Sequence, residues 1–369
     1  MHIPWSLLPC LAAAAAVLPR GTGHTIPAAP AVVRRQEEAC KSFFFFPFCP
    51  STDTGKPPGA NDTNLIEAPK NGSTCATPQK RVEWRTLDAA TQKQYTNAVL
   101  CLRTKPSKLG LNTTLYDDFT WVHAHLNSDI HFVAQFLPWH RYFVHLYESE
   151  LKACGYNGVM SYWDWTLDTP NPSNSSIWDP VHGFGGDGVG PGPHRLDSAN
   201  PTLDVCVQDG PFANLTVVYA ETAHAPHCLS RNFNDGLAAF PGDMRSPAYS
   251  ARAVADVQER RDYDSYRQDL EGGPHDAVHK AVGGELAVAS SPNDPLFYLH
   301  HTQIDRLWWL WQQSKYRHQE AYGGRKTQDD PEGRMTASLD DMMPYLGFAD
   351  HIKVSEVMKT ESSILCYGY

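Results

Sequence analysis

Residues 271–306 carry two histidine-bearing segments that a fold must bring face to face. His275 and His279 stand four apart, so on a helix both imidazoles leave one face, a turn apart. Pro274 suits the first helical position and Gly283 the residue just past the end. That span is too short to hold alone, so a metal or tight packing must support it. The following helix is predicted to open with Asp294 as N-cap and Pro295 at N1, and to run to about Gln313. Its inward stripe, Phe297, His301, Ile304 and Trp308, sets a histidine inside an apolar face.

A second set of three lies upstream. Phe119, Val122, His123 and Leu126 share one helical face. Pro138 fits the start of another helix, with His140, Phe143, Tyr147 and Leu151 inward and Gly155 as its stop. His131 lies between the two. The halves echo each other, because Phe136 precedes His140 by four residues, as Phe297 precedes His301. His125 competes with His123, and His300 with His301.

A lone histidine on an apolar face is ordinarily a core residue with its ring nitrogens hydrogen-bonded. Six at matched spacings are not. Zinc hydrolases also use histidines at i, i+4, but that motif wants glutamate directly after the first, and here the residue is Asp276. All-imidazole ligation in two sets suits copper better.

At these residues the sequence resembles the tyrosinase and catechol oxidase family, the type-3 copper proteins that include molluscan hemocyanins. The resemblance runs over about residues 80–369. It implies a first copper site at His123, His131 and His140, and a second at His275, His279 and His301. Within the family pattern His123 follows an acidic-aromatic start like Asp117-Asp118-Phe119. Of the His300-His301 pair the second is the ligand, in agreement with helix register. The expected cofactor is therefore two copper ions per chain, and the expected partners are small phenolic substrates and dioxygen. The implied reaction oxidises o-diphenols to o-quinones, with weaker o-hydroxylation of monophenols. An oxygen carrier of the hemocyanin kind and a tailoring oxidase for one phenolic metabolite are the rival readings.

The resemblance also assigns roles around the coppers. Glu271 matches a glutamate that holds a water beside the second copper. Asp276 stands where many hydroxylating relatives have asparagine, so two carboxylates would face one water and share a proton. Val288 matches the residue overhanging the second copper, and its small size leaves the entrance open. Asp305 is the expected hydrogen-bond partner of a ligand imidazole. No cysteine lies between Cys101 and Cys154, so the thioether that many relatives form with the second ligand is not expected at His131.

Elsewhere the chain reads as an exported protein. Residues 1–23 have the pattern of a signal peptide, and 24–35 end in Arg34-Arg35 like a short propeptide. Residues 36–369 then form one catalytic domain, expected to be secreted and extracellular. Outside the signal remain eight cysteines, an even number that implies disulfides, and five sequons at Asn61, Asn71, Asn112, Asn174 and Asn214. A net charge of −10 with no basic cluster argues against nucleic acid, and no apolar run is long enough to span a membrane.

The fold should be mainly α, a four-helix bundle around a dinuclear copper centre with long disulfide-tied loops and little sheet. Helices are predicted from about Ala89 to Arg103 and from about Ala251 to Gln268. Residues 36–80 read as loop, Tyr162–Trp165 as buried core without chemistry, and 196–245 give only weak signals. The Cys366-Tyr367-Gly368-Tyr369 ending resembles the close of the family's catalytic core, which implies a short form without a C-terminal plug.

Overall fold

The computed structural model describes residues 75–190, 205–234, 244–330 and 332–369. The signal, the propeptide, Cys40, Cys49, Asn61 and Asn71 lie outside the described residues, as does most of the expected 36–80 loop.

Seven helices carry the described architecture: α1 Ala89–Leu102, α2 Leu115–His125, α3 Phe136–Ala153, α4 Ala251–Gln258, α5 Tyr263–Leu270, α6 Asp276–Val282 and α7 Leu296–Ser314. Several starts have a local cause. Asp88 caps α1 by accepting the Thr91 N–H at 2.7 Å. The Thr114 N–H donates to Asp117 at 3.0 Å, closing the entry to α2. Asp294 accepts the Leu296 N–H at 2.9 Å, so α7 begins one residue later than the sequence suggests.

The core lies where α3 and α7 pack together, with α2 and α6 completing the four-helix arrangement. Phe119, Phe143, Tyr147, Phe297 and Tyr298 are fully buried there. Burying that many large rings supplies a favourable term of about 2 kcal/mol per side chain against chain entropy.

The helix expected over 251–268 is two helices. Asp262 leaves helical geometry and caps α5 by accepting the Ser265 N–H, and the Trp311 indole N–H donates to the Arg260 carbonyl at 2.8 Å. A second break falls at Glu271–His275, a wide π-type turn in which Gly273 is non-helical (φ −102°, ψ −108°) and Pro274 lacks an N–H. This turn rotates the chain into α6, which ends at Gly283 (φ +67°). A Cβ there would meet the Asn232 carbonyl oxygen at 2.1 Å.

Sheet is sparse. β1 Gln79–Lys80 runs parallel to β6 Tyr367–Gly368, and β4 Met342–Met343 pairs with β5 Ile352–Lys353. The one longer hairpin, β2 Thr216–Ala220 with β3 Ala223–Cys228, falls in a region that gives little signal in the sequence. Disulfides join Cys75 to Cys366, Cys101 to Cys154 and Cys206 to Cys228. The second of these ties the end of α1 to the end of α3.

Candidate metal centre

Two clusters of histidine, buried except for the half-buried residue His131, face each other across the bundle: His123, His131 and His140, and His275, His279, His300 and His301. The His140 and His301 rings stack at 4.4 Å with 15° between their planes, so the clusters form one site. Phe136 lies 4.9 Å from His140 and 4.8 Å from His275, and Phe297 lies 4.1 Å from His301 and 5.1 Å from His123. The paired phenylalanines therefore wall the site from both halves.

Proton bookkeeping decides which nitrogens are available. A backbone carbonyl only accepts, so an imidazole nitrogen bonded to one must carry the hydrogen. Nδ1 meets such a carbonyl in five rings: His123 to Ala289 at 2.8 Å, His131 to Asn127 at 3.1 Å, His140 to Phe136 at 2.8 Å, His275 to Glu271 at 3.1 Å, and His279 to Leu286. Burial pushes the six imidazoles down, His131 to about 4, so the rings are neutral, and in the five whose Nδ1 is bonded to a carbonyl the Nε2 lone pair is free.

Those lone pairs converge. Nε2 of His140 lies 3.3 Å from Nε2 of His123, and Nε2 of His279 lies 3.3 Å from Nε2 of His301. Nε2 of His275 is buried with no hydrogen-bond partner. The His123 and His140 Nε2 atoms, both unprotonated, repel at this distance in a dry core unless a cation lies between them. The donor set, neutral imidazole throughout, fits a borderline-soft metal such as copper.

The competing histidines separate on the same grounds. His125 points away, with Nδ1 on the Trp121 carbonyl and its ring stacked on Trp121 at 4.0 Å. His300 accepts the Trp165 indole N–H on Nδ1 at 3.2 Å. A neutral His300 bonded in this way carries its hydrogen on Nε2, which lies buried without a partner in the second cluster.

Residues 113–314 match the model of the common central domain of tyrosinase. The chain belongs to the tyrosinase family. It is 43% identical over 311 residues to tyrosinase-like protein phomQ1' of Diaporthe leptostromiformis, covering 80% of each chain. It is 34% identical over 338 residues to the N-acetyl-6-hydroxytryptophan oxidase ivoB of Emericella nidulans, covering 78% of this chain and 91% of that one. A polyphenol oxidase variant from Thermothelomyces thermophila superposes with a TM-score of 0.68 at 28% identity, covering 79% of this chain and 88% of its own. This tyrosinase-family chain is accordingly a copper-dependent oxidoreductase.

Around the histidines of this tyrosinase-family site, several residues sit differently from expectation. Glu271 is buried and both its oxygens are engaged, Oε1 by the Phe132 N–H at 2.6 Å and Oε2 by Arg267 Nη1 at 2.8 Å. Burial pushes its carboxyl up to about 7 against the lowering pull of Arg267 and the Phe132 N–H, and Asp276 adds a lesser push. Asp276 turns to Lys280 at 2.6 Å and is half-buried. Asp305 holds no imidazole. Its oxygens take Arg141 at 2.5 Å, Arg81 at 3.3 Å, and the hydroxyls of Tyr367 and Tyr369. It anchors the C-terminal Tyr-Gly-Tyr to α3 and α7, and Nδ1 of His301 is left without a partner.

Val288 is half-buried and lies next to Ala289, whose carbonyl holds His123. The loop bearing it is fixed by the hairpin. Glu221 accepts the Ala289 N–H at 3.0 Å, and Glu285 is bonded by His227 at 2.7 Å and Asn293 at 2.9 Å. Among the described residues all six cysteines are paired in disulfides, and none is left to crosslink His131. Sequence reasoning missed Trp165, treated only as core, because its partner His300 lies 135 positions away. The hairpin left too little pattern to be assigned.

Proposed function

We propose that this chain is a dicopper oxidase of o-diphenols, with weaker hydroxylation of monophenols, and that it works in an oxidising, extracellular setting. The observation that carries the reading is the set of hydrogen bonds that commits five Nδ1 atoms to carbonyls and leaves the Nε2 atoms of two adjoining triads turned inward. His123, His131 and His140 would hold one ion, and His275, His279 and His301 the other. Bound there, copper would supply two-electron exchange between a catechol and dioxygen. Three disulfides among the described residues support export.

The protein's own part is geometric. Carbonyls of Ala289, Asn127, Phe136, Glu271 and Leu286 fix the ring planes, so no imidazole must reorient during turnover. Phe136 and Phe297 keep water from the buried face. Among the described residues no helix is long and apolar enough to cross a membrane.

A dedicated phenolic substrate is the second reading, favoured by the 34% identity to a protein named for oxidising N-acetyl-6-hydroxytryptophan. Initial rates on matched monophenol and diphenol pairs test both. The diphenol reading expects kcat/KM on simple catechols above about 10⁴ M⁻¹ s⁻¹, with the monophenol partners slower. Values below that on every simple catechol would favour the dedicated substrate.

A further inference from the structure

Phe132 follows His131 directly and stands in left-handed backbone geometry at φ +55°, where a bulky L side chain is a steric outlier. Its ring is 49% exposed. Holding an apolar ring in solvent through a strained backbone gains nothing for the core, and such strain concentrates at functional sites.

The loop is built to hold this geometry. The Phe132 N–H donates to Glu271 Oε1 at 2.6 Å, and Gln328 Nε2 donates to the His131 carbonyl at 2.7 Å. The Ala134 N–H donates to the Arg325 carbonyl at 2.7 Å, and the Tyr263 hydroxyl to the Ala134 carbonyl at 2.6 Å. Glu271 is itself fixed by Arg267, and its main-chain oxygen receives Nδ1 of His275. One residue thus ties the first triad's loop to the second triad. His131, whose imidazole belongs to the first cluster, is half-buried as a residue where the other five are buried, and the exposed Phe132 follows it directly. Among the large apolar residues exposed in the described part, Phe132 is the one adjoining a cluster histidine.

We propose that Phe132 is a substrate-stacking residue at the mouth of the site, selecting phenols that carry a second flat apolar group, and that Glu271 is the positioning residue that holds it. The hydroxyl-bearing ring lies at the histidines while the second group rests on the Phe132 face. The inference rests on the phenol-oxidase reading above and goes beyond it in naming what the mouth prefers. It also gives the Glu271 carboxylate a task other than holding a water.

The test uses the copper-loaded full chain and two non-oxidisable probes, benzoate and 4-phenylbenzoate, in calorimetric titrations. Phe132→Ala is expected to weaken 4-phenylbenzoate about 3- to 10-fold and leave benzoate within about 2-fold. Phe132→Trp restores the preference. KM for 4-phenylcatechol should rise by the same factor relative to the KM for catechol. Phe132→Gly relieves the left-handed strain and should raise Tm, yet lose the preference as the alanine variant does. Glu271→Gln still offers an oxygen to the Phe132 amide and keeps the preference, whereas Glu271→Leu loses it. Equal affinity of 4-phenylbenzoate for the wild type and Phe132→Ala overturns the stacking role, and an unchanged preference in Glu271→Leu overturns the positioning role. Should no catechol be oxidised at all, the diphenol reading falls, and the benzoate titrations still decide on Phe132.

Discussion

The indole N–H of Trp165 donates to Nδ1 of His300 at 3.2 Å, with both side chains buried. That bond sets the tautomer of the fourth histidine in the second cluster and distinguishes it from its neighbour His301. His300→Gln is therefore expected to keep two copper ions per chain, and His301→Gln to keep one. Metal analysis of the two purified variants checks this, and loss of an ion from His300→Gln would make it a ligand. The more telling variant is Trp165→Phe, which frees Nδ1 and should leave copper content unchanged.

Val288 lies half-buried on a loop whose next carbonyl orients His123. Enlarging it narrows the approach without removing a hydrogen bond. Val288→Phe is expected to lower kcat/KM for catechols with bulky ring substituents by about 10-fold and for plain catechol by about 2-fold, a difference of roughly 1 kcal/mol. Equal losses for both substrates would deny it a gating role.

Asp276 makes its ion pair with Lys280 on the outer side of α6. A half-exposed i, i+4 pair contributes about 0.5 kcal/mol. Asp276→Asn should accordingly leave the monophenol to diphenol rate ratio and the pH profile as they were. A ratio altered more than about 3-fold would return Asp276 to the proton path.

Much of the site can be read in the sequence because metal ligation leaves a local signature. His123, His140 and His301 stand on apolar helical faces, and His275 and His279 are one turn apart, so the spacing alone groups them. That the ligands project inward follows from the same spacing, whereas the four-helix arrangement is what the family resemblance implies. What stayed hidden depends on contacts between distant segments. Nothing local marks Trp165 as the partner of His300, or Glu271 as the acceptor for the Phe132 amide 139 positions away. Asp305 lies one turn after His301, which suggested a link to an imidazole. Two buried arginines, Arg81 and Arg141, outcompete the neutral ring for its charge. The break between α4 and α5 was obscured because Val254, Val257 and Tyr266 continue the apolar pattern across the Asp262 cap.

Glu148 is buried on α3 between Arg81 at 2.7 Å and Lys152 at 2.9 Å. Burial pushes its carboxyl up, but Arg81 and Lys152 outweigh burial and hold it at about 2, below the ordinary 4.5. The folded state thus binds this proton less readily than the unfolded one. The stability Glu148 contributes is present in full above about pH 4.5 and is lost as pH falls toward 2. Glu148→Gln should cost about 2–4 kcal/mol at pH 7 and distinctly less at pH 3. Urea unfolding at the two pH values checks it, and equal losses at both would contradict the assignment.

With every described cysteine in a disulfide, the peptide carrying His131 should be recovered unmodified. Peptide mapping by mass spectrometry reads this directly. A deficit of two hydrogens shared between that peptide and a cysteine peptide would show a thioether.

The central claim is that two triads of inward-facing Nε2 atoms hold one copper ion each and that both ions are needed to oxidise catechols. Copper per chain, measured on the same preparation as catechol-dependent oxygen uptake during stepwise chelation, tests it most directly. The expected result is two ions in the fully active protein, with oxygen uptake falling in step with the fraction of chains that still hold both ions. Full activity at one copper per chain, or uptake that persists after all copper is removed, would contradict the account.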